Sequence, residues 1–364
     1  MASLRNRRNG KVSSKRPEAV QLRRRLLRWY DRNRRNLPWR NTRDPYRIWL
    51  SEVMLQQTRV QAVLSYYDKF LEIFPSVAAL AAADEPTLLA SWSGLGYYSR
   101  ARNMRRAAQK IDRERSGKFP RNYDEARELP GVGEYTARAV LSIAYGIPLA
   151  VVDGNVARVL SRLYMLKEDF KSGKGRRKFQ GLADALLAPR RPGDFNQAMM
   201  ELGATVCLPG QPRCAVCPLA RMCLAYKQMA VNRYPPPRRT AKPRARRFVA
   251  ALICDDAGRY LLVRRPKSAK LMAGFWELPM WELNQPTLQP SGLTGIPAEG
   301  IVLRQRIGRV RHAITTNRLD ITVHAARLQS GVQLSGSRWV ATKDLDRHPI
   351  TTITRKALAC VSSA

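Results

Sequence analysis

Apolar positions in the first two thirds of the chain recur at helical spacing. Ile48, Val53, Leu55, Val60, Val63, Leu64, Tyr67, Phe70 and Leu71 fall mostly three or four apart, which predicts helix through one long segment. Similar patterns predict helices around 86–92, 99–111, 134–145, 155–166 and 177–187, separated by turns bearing Gly and Pro. Beyond residue 247 the texture changes. Phe248–Cys254 and Tyr260–Val263 flank Asp255-Asp256-Ala257-Gly258, which predicts a β-hairpin, and further strand-like runs cover 319–326 and 338–341. The pattern therefore predicts a mainly α domain over 17–231 and a second domain, α+β or mostly β, over 248–364. Between them, 232–247 holds Pro235, Pro236, Pro237 and Pro243 with seven basic residues and no acidic one, the composition of a linker. Residues 1–16 carry six basic residues, no acidic ones and almost nothing apolar, and read as a disordered basic arm. No internal repeat is present.

Charge narrows the partner. The 364 residues include 65 Lys and Arg against 28 Asp and Glu, a net +37 that favours a polyanion, nucleic acid before an anionic membrane. The longest uncharged apolar stretch, Ala139–Val152, has 14 residues, whereas a membrane span needs about 20. No apolar segment follows the basic N-terminus, so a secretory signal is not expected. The charge is uneven. Residues 17–231 hold 36 basic and 20 acidic residues, and 248–364 hold 16 and 8.

Four of the six cysteines crowd together. Cys207, Cys214, Cys217 and Cys223 follow the spacing C-x6-C-x2-C-x5-C, four soft sulfur donors within 17 residues. Such a set suits tetrahedral zinc or a [4Fe–4S] cluster, and spacing alone does not separate the two. It also points to a reducing compartment, hence a cytoplasmic, nucleoid-associated protein. Cys254 and Cys360 stand apart and read as packed thiols.

Three further strings carry chemistry. In Leu129-Pro130-Gly131-Val132-Gly133-Glu134-Tyr135, the glycines Gly131 and Gly133 permit a tight turn, and a helix starting there would offer free N–H groups to a phosphate. Asp153 opens Asp153-Gly154-Asn155-Val156 after an apolar run, as a helix N-cap does. Glu52 sits in Leu50-Ser51-Glu52-Val53-Met54-Leu55-Gln56-Gln57-Thr58, where an ordinary helical glutamate would face solvent.

Together these strings resemble a known family. The cysteine spacing and the LPGVG hairpin resemble the endonuclease III, or helix–hairpin–helix, superfamily of DNA glycosylases. LSEVMLQQT, Pro38-Trp39 and Gly94-Leu95-Gly96-Tyr97-Tyr98-Ser99-Arg100 are similar to the MutY-type adenine DNA glycosylases, over about residues 20–230. The resemblance, rather than the spacing, favours a [4Fe–4S] cluster over zinc. It implies an acid role for Glu52 toward adenine N7, and for Asp153 an anionic role beside the developing oxocarbenium ion as nucleophile or electrostatic stabiliser. Tyr135 and Asn155 would support them. Gln56 and Tyr97 match residues that enter the vacated base stack when a base is flipped out.

Bifunctional glycosylase/lyases of the superfamily carry a Schiff-base lysine two positions after the second hairpin glycine. Here that position is Tyr135, so the resemblance implies a monofunctional enzyme. The C-terminal domain resembles the MutT-like, Nudix-related module that reads 8-oxoguanine. Between Glu282 and Glu299 it has no acidic residue, so the metal-binding helix of a Nudix hydrolase is missing. Where relatives carry H-x-F-S-H this chain has His312-Ala313-Ile314-Thr315-Thr316, retaining His312 with Thr315 in place of serine. The expected partner is duplex DNA with adenine opposite 8-oxoguanine or guanine, bound by a monomer. The competing readings are a bifunctional pyrimidine glycosylase/lyase, which Tyr135 opposes, and a non-catalytic lesion-binding protein, which the joint presence of Glu52 and Asp153 opposes.

Overall fold

Helices occupy the chain up to Lys227: α1 (Pro17–Asn33), α2 (Pro45–Met54), α3 (Val60–Ile73), α4 (Val77–Ala82), α5 (Glu85–Ser91), α6 (Ser99–Arg115), α7 (Tyr123–Arg127), α8 (Glu134–Tyr145), α9 (Gly154–Tyr164), α10 (Gly173–Leu186), α11 (Pro192–Thr205) and α12 (Leu224–Lys227). Strands follow: β1 (Arg244–Ile253), β2 (Arg259–Arg264), β3 (Trp276–Glu277), β4 (Met280–Leu283), β5 (Leu288–Pro290), β6 (Ile301–Ile314), β7 (Asn317–Leu328) and β8 (Ser337–Ala341), before a last helix, α13 (Thr352–Ala359). The computed structural model describes residues 17–237, 243–266, 268–269, 272–283, 288–290, 300–314, 316–332 and 334–360. The basic arm expected at 1–16 lies outside them. The chain forms two compact units, residues 1–81 with 106–238, and residues 82–105 with 239–364.

In the first unit, α11 packs against α1, α8 and α9. Leu22, Leu26 and Tyr30 of α1 join Val159, Leu160, Phe179 and Phe195 in one apolar core. The apolar run predicted as a single helical segment is two helices, α2 and α3. They part at Gln57, whose φ of 59° lies in the left-handed region that no right-handed helix passes through. Helix α11 had no clear sequence signal, because Gly193 and Gly203 weaken its helical pattern. They are there for close approach. A Cβ at Gly193 would lie 2.6 Å from the Ser142 carbonyl oxygen, and one at Gly203 2.6 Å from Asn155 Cβ.

The second unit holds two sheets, ordered β5-β4-β1-β7-β6 and β3-β2-β8. β1 runs parallel to β7 from Arg244↔Asn317 to Ile253↔Ala326, and antiparallel to β4. It thus takes up Arg244–Arg247, which composition assigned to the linker; ladder pairing needs only backbone groups. The predicted hairpin is a correction. The Asp255–Gly258 turn is present, but past the Cys254↔Tyr260 bridge the strands separate into different sheets. The run Phe248–Ile253 is buried throughout. Phe248, Ala250 and Leu252 enter one core cluster while Ala251 and Ile253 enter another. A two-stranded ribbon would leave one of those faces wet, whereas a central strand covers both. No helix among the described residues is long and apolar enough to cross a membrane.

Candidate active site

Glu52 is buried because α2 is buried nearly all round. Pro45 at the helix start and the Asp44 carboxylate, which accepts from the Tyr46 N–H, fix where α2 begins. Ile48 to Met54 are all buried, and Glu52 itself is only 5% exposed. Burial pushes its carboxyl up to about 7; the Tyr135 hydrogen bond and the Arg40 charge oppose that rise, and the Asp153 charge adds to it.

The LPGVG hairpin sets Tyr135 opposite. Leu129 and Val132 are buried and anchor it, Gly131 turns the chain with φ 76°, and Gly133 is the N-cap of α8. Tyr135, in the first turn of α8, donates its hydroxyl to Glu52 Oε2 at 2.7 Å and lies 3.3 Å from Met200 Sδ. Burial raises the phenol well above its usual range, so it is a neutral donor. Asp153 is the N-cap of α9 as expected, accepting from the Val156 N–H at 2.7 Å and from Asn155 Nδ2 at 3.0 Å. Burial raises its carboxyl, and these hydrogen bonds pull the other way. Asn155 is held in turn by Arg158, whose Nη2 donates to its amide oxygen at 2.8 Å.

Glu52, Tyr135, Asp153, Asn155, Gln56, Gly131 and Gly133 all line one cleft of about 1600 Å³ within the first unit. Sequence reasoning missed several of its walls. Glu201 of α11 is fully buried and accepts from Arg35 Nε at 2.8 Å and Nη2 at 2.7 Å, and from Arg40 Nη2 at 2.7 Å. Burial opposes its ionisation, yet these bonds outweigh it and hold the carboxyl at about 2. Of the carboxyls that line the cleft, Glu52 is therefore able to carry a proton at neutral pH, while Glu201 is fixed as an anion. Trp39 and Met200 add apolar surface, while Lys171, Arg176 and Arg177 give the same cleft positive charge. A single acidic residue in the otherwise uncharged run Phe195–Thr205 was the available signal for Glu201.

Within the cleft Gln56 donates to Thr136 Oγ1 at 3.3 Å, whereas its exposed neighbour Gln57 holds the left-handed conformation. The remaining expected residues lie elsewhere. Tyr97, 46% exposed, belongs to the second unit, as does His312 on β6. Thr315 lies outside the described residues. Burial and the Lys356 charge lower the His312 imidazole, keeping it neutral at physiological pH.

Cys207, Cys214, Cys217 and Cys223 are free thiols of intermediate burial on the loop after α11. Arg162 Nη1 donates to Cys207 Sγ at 3.3 Å and to the Leu208 carbonyl at 2.7 Å. Burial pushes up the thiols of Cys214, Cys217 and Cys223, with neighbouring sulfurs adding to the effect, Cys217 to about 12. Four cysteine sulfurs brought together on one loop are a soft donor set that fits an iron–sulfur cluster, as it would fit zinc. Among the described residues no three His, Cys, Asp or Glu side chains meet around a point suited to one metal ion.

Residues 50–184 match the HhH-GPD superfamily of base excision DNA repair proteins, and residues 249–360 match the NUDIX domain. The adenine DNA glycosylase of Homo sapiens is 34% identical over 395 residues, covering 91% of this chain and 72% of the human protein. The chain belongs to the adenine DNA glycosylase family. Its Arabidopsis thaliana relative is 38% identical over 308 residues, 74% of this chain and 48% of that protein. Among solved structures, a thermostable thymine-DNA glycosylase superposes with a TM-score of 0.54 at 29% identity, covering 58% of this chain and 97% of its own. As a member of this family the chain is a DNA glycosylase of base excision repair, with a helix–hairpin–helix domain and a MutT-like α+β domain.

Proposed function

We propose that this glycosylase removes adenine mispaired with 8-oxoguanine or guanine in duplex DNA, by hydrolysis and without a lyase step. The observation that carries the reading is the buried Tyr135–Glu52 pair, a hydroxyl 2.7 Å from a carboxyl whose burial raises it to about 7. An N-glycosidic bond to adenine breaks readily only when the base leaves protonated. In this reading Glu52 holds that proton near neutral pH and delivers it to the leaving base. As the bond breaks, positive charge grows on the sugar, and the Asp153 carboxylate, held by the start of α9, stabilises it as an anion or as a nucleophile. Water completes the reaction at C1′, its oxygen bonding to the sugar and its proton returning to the carboxylate of Glu52. Neither step uses an amine, and Tyr135 offers none for an imine.

Cys207, Cys214, Cys217 and Cys223 would hold a [4Fe–4S] cluster. When bound, such a cluster cross-links its loop and provides a redox centre tuned by hydrogen bonds to its sulfurs. His312 is the residue of the MutT-like unit assigned to lesion recognition, and Gln56 and Tyr97 are assigned to the opened stack. The exposed Gln57 is better placed for that task than Gln56, which is bonded to Thr136. Duplex DNA bound by a monomer remains the partner this reading calls for, in a cytoplasmic, nucleoid-associated setting.

The test is adenine release from an 8-oxoguanine:adenine duplex, with borohydride present in a parallel reaction. Wild type should release adenine and form no covalent adduct, and Glu52→Gln should bind the mispair but release none. A trapped protein–DNA adduct, or substantial release by Glu52→Gln, would overturn the assignment.

A further inference from the structure

Tyr97 stands in a turn that its neighbours hold from several sides. It is a non-glycine residue at φ 47°, a left-handed conformation that persists only where the surroundings over-determine it. Arg100, itself buried, donates to the Leu95 carbonyl at 3.1 Å, the Gly96 carbonyl at 3.0 Å and the Tyr97 carbonyl at 3.4 Å. Trp92 Nε1 donates to the Gly96 carbonyl at 3.2 Å, and the Gly94 N–H donates to the Tyr98 hydroxyl at 3.3 Å. The result is a buried scaffold with one aromatic ring turned out to solvent.

This turn belongs to the same compact unit as the MutT-like strands, and the contacts within that unit are specific. The buried Tyr98 ring packs on Phe275, which is fully buried, with centroids 4.0 Å apart and planes tilted by 46°. Arg102 pairs with Glu85 at 2.8 Å and also donates to the Ala273 carbonyl. The turn that supplies both partners is itself locked. The Phe275 N–H donates to the Met272 carbonyl at 3.1 Å, the Gly274 N–H to the Arg265 carbonyl at 3.0 Å, and the Arg265 N–H to the Phe275 carbonyl at 2.8 Å. The Arg265 side chain then forms an ion pair with Glu277 at 2.7 Å, with side chains only 4% and 2% exposed. Nothing in the chemistry of adenine release uses that buried pair, whereas a rigid base for the 272–275 turn does.

We propose that the Met272–Phe275 turn is the seat of the Tyr97 turn. Phe275, through Tyr98, and the Ala273 carbonyl, through Arg102, are positioning groups that hold Tyr97 in the exposed conformation in which it enters the DNA stack. The inference rests on the reading of Tyr97 as an inserted residue. It gives the MutT-like strands a second task beside lesion recognition, that of fixing the residue that occupies the opened stack.

The test uses the full chain and two readouts. In DNA-free protein, Phe275→Ala and the milder Arg102→Gln should both speed hydrogen exchange of the amides at 94–98. With DNA carrying 2-aminopurine beside the mispair, Phe275→Ala should lower unstacking by about tenfold, the upper range for an aromatic pair. The double variant Tyr97→Ala/Phe275→Ala should be no worse than Tyr97→Ala alone, because both changes remove one function. Unchanged exchange at 94–98 in both seat variants would overturn the proposal, as would additive losses in the double variant. Should Tyr97→Ala unstack like wild type while exchange still rises in Phe275→Ala, the reading of Tyr97 has failed, and the proposed role in DNA falls with it.

Discussion

Arg158 Nε donates to the main-chain carbonyl of Cys207 at 2.8 Å, so the first cysteine of the four-cysteine loop is tied directly to the side chain that holds Asn155. The same guanidinium donates to the Gly203 carbonyl at 2.8 Å. Burial lowers its affinity for the proton without threatening its charge. One residue thus links the sulfur loop, the end of α11 and the amide that steadies Asp153. Arg158→Gln cannot span all three acceptors, and single-turnover adenine release should fall by about 10–100-fold, the range for orienting partners of this kind. Mispair affinity should change far less. A wild-type rate would show that Asn155 holds Asp153 unaided.

Burial of Glu52 has a pH signature in rate and in stability. Its carboxyl is raised from 4.5 to about 7, mainly by burial, so the proton needed for adenine release is lost as pH rises through about 7. Single-turnover rates should fall as pH rises through that value. Stability follows the same sign: between 4.5 and about 7 the unfolded carboxyl ionises while the folded one stays protonated, so stability is lost with rising pH. Glu52→Gln removes that loss. Its melting temperature should therefore exceed that of wild type at pH 8 by more than at pH 4, and a pH-independent difference would contradict the raised carboxyl.

Tyr135→Phe separates the hydroxyl from the ring. The hydroxyl donates to Glu52 and favours its ionised form, pulling against burial. Without it the carboxyl should hold its proton to still higher pH, and the alkaline fall of the rate profile should move upward. A shift to lower pH would mean that Tyr135 acts by accepting a hydrogen bond from protonated Glu52.

Much of this arrangement was legible in the residues, and the rest was hidden for physical reasons. The Asp153 cap and the start of α8 after Gly133 depend on local backbone chemistry, which short strings carry. Glu52 was legible only through a family resemblance, because burial of a helical glutamate depends on what packs around α2. Glu201 and Arg158 act through partners as distant in sequence as Arg35 and Cys207, so a local string, even the lone charge of Glu201 in its run, does not name what they hold. Strand pairing failed for the same reason. The turn at 255–258 is local, but the choice of β7 and β4 as partners of β1 is made by two cores on opposite faces of the sheet.

Gly203 tests how tightly Asn155 is placed. A Cβ added there would lie 2.6 Å from Asn155 Cβ and 3.1 Å from two of its backbone atoms, with no flexible side-chain end to give way. Gly203→Ala must therefore displace the start of α9, and with it the Asp153–Asn155 hydrogen bond. Alanine otherwise favours a helix, so the local backbone gain opposes the clash. Overpacking of this kind costs about 1–3 kcal/mol and should outweigh it, lowering the melting temperature. The rate of adenine release should fall by more than the lost stability explains, because folded molecules also carry a displaced Asp153. Gly203→Ala proteins that melt lower yet release adenine at the wild-type rate would show that Asn155 tolerates the shift.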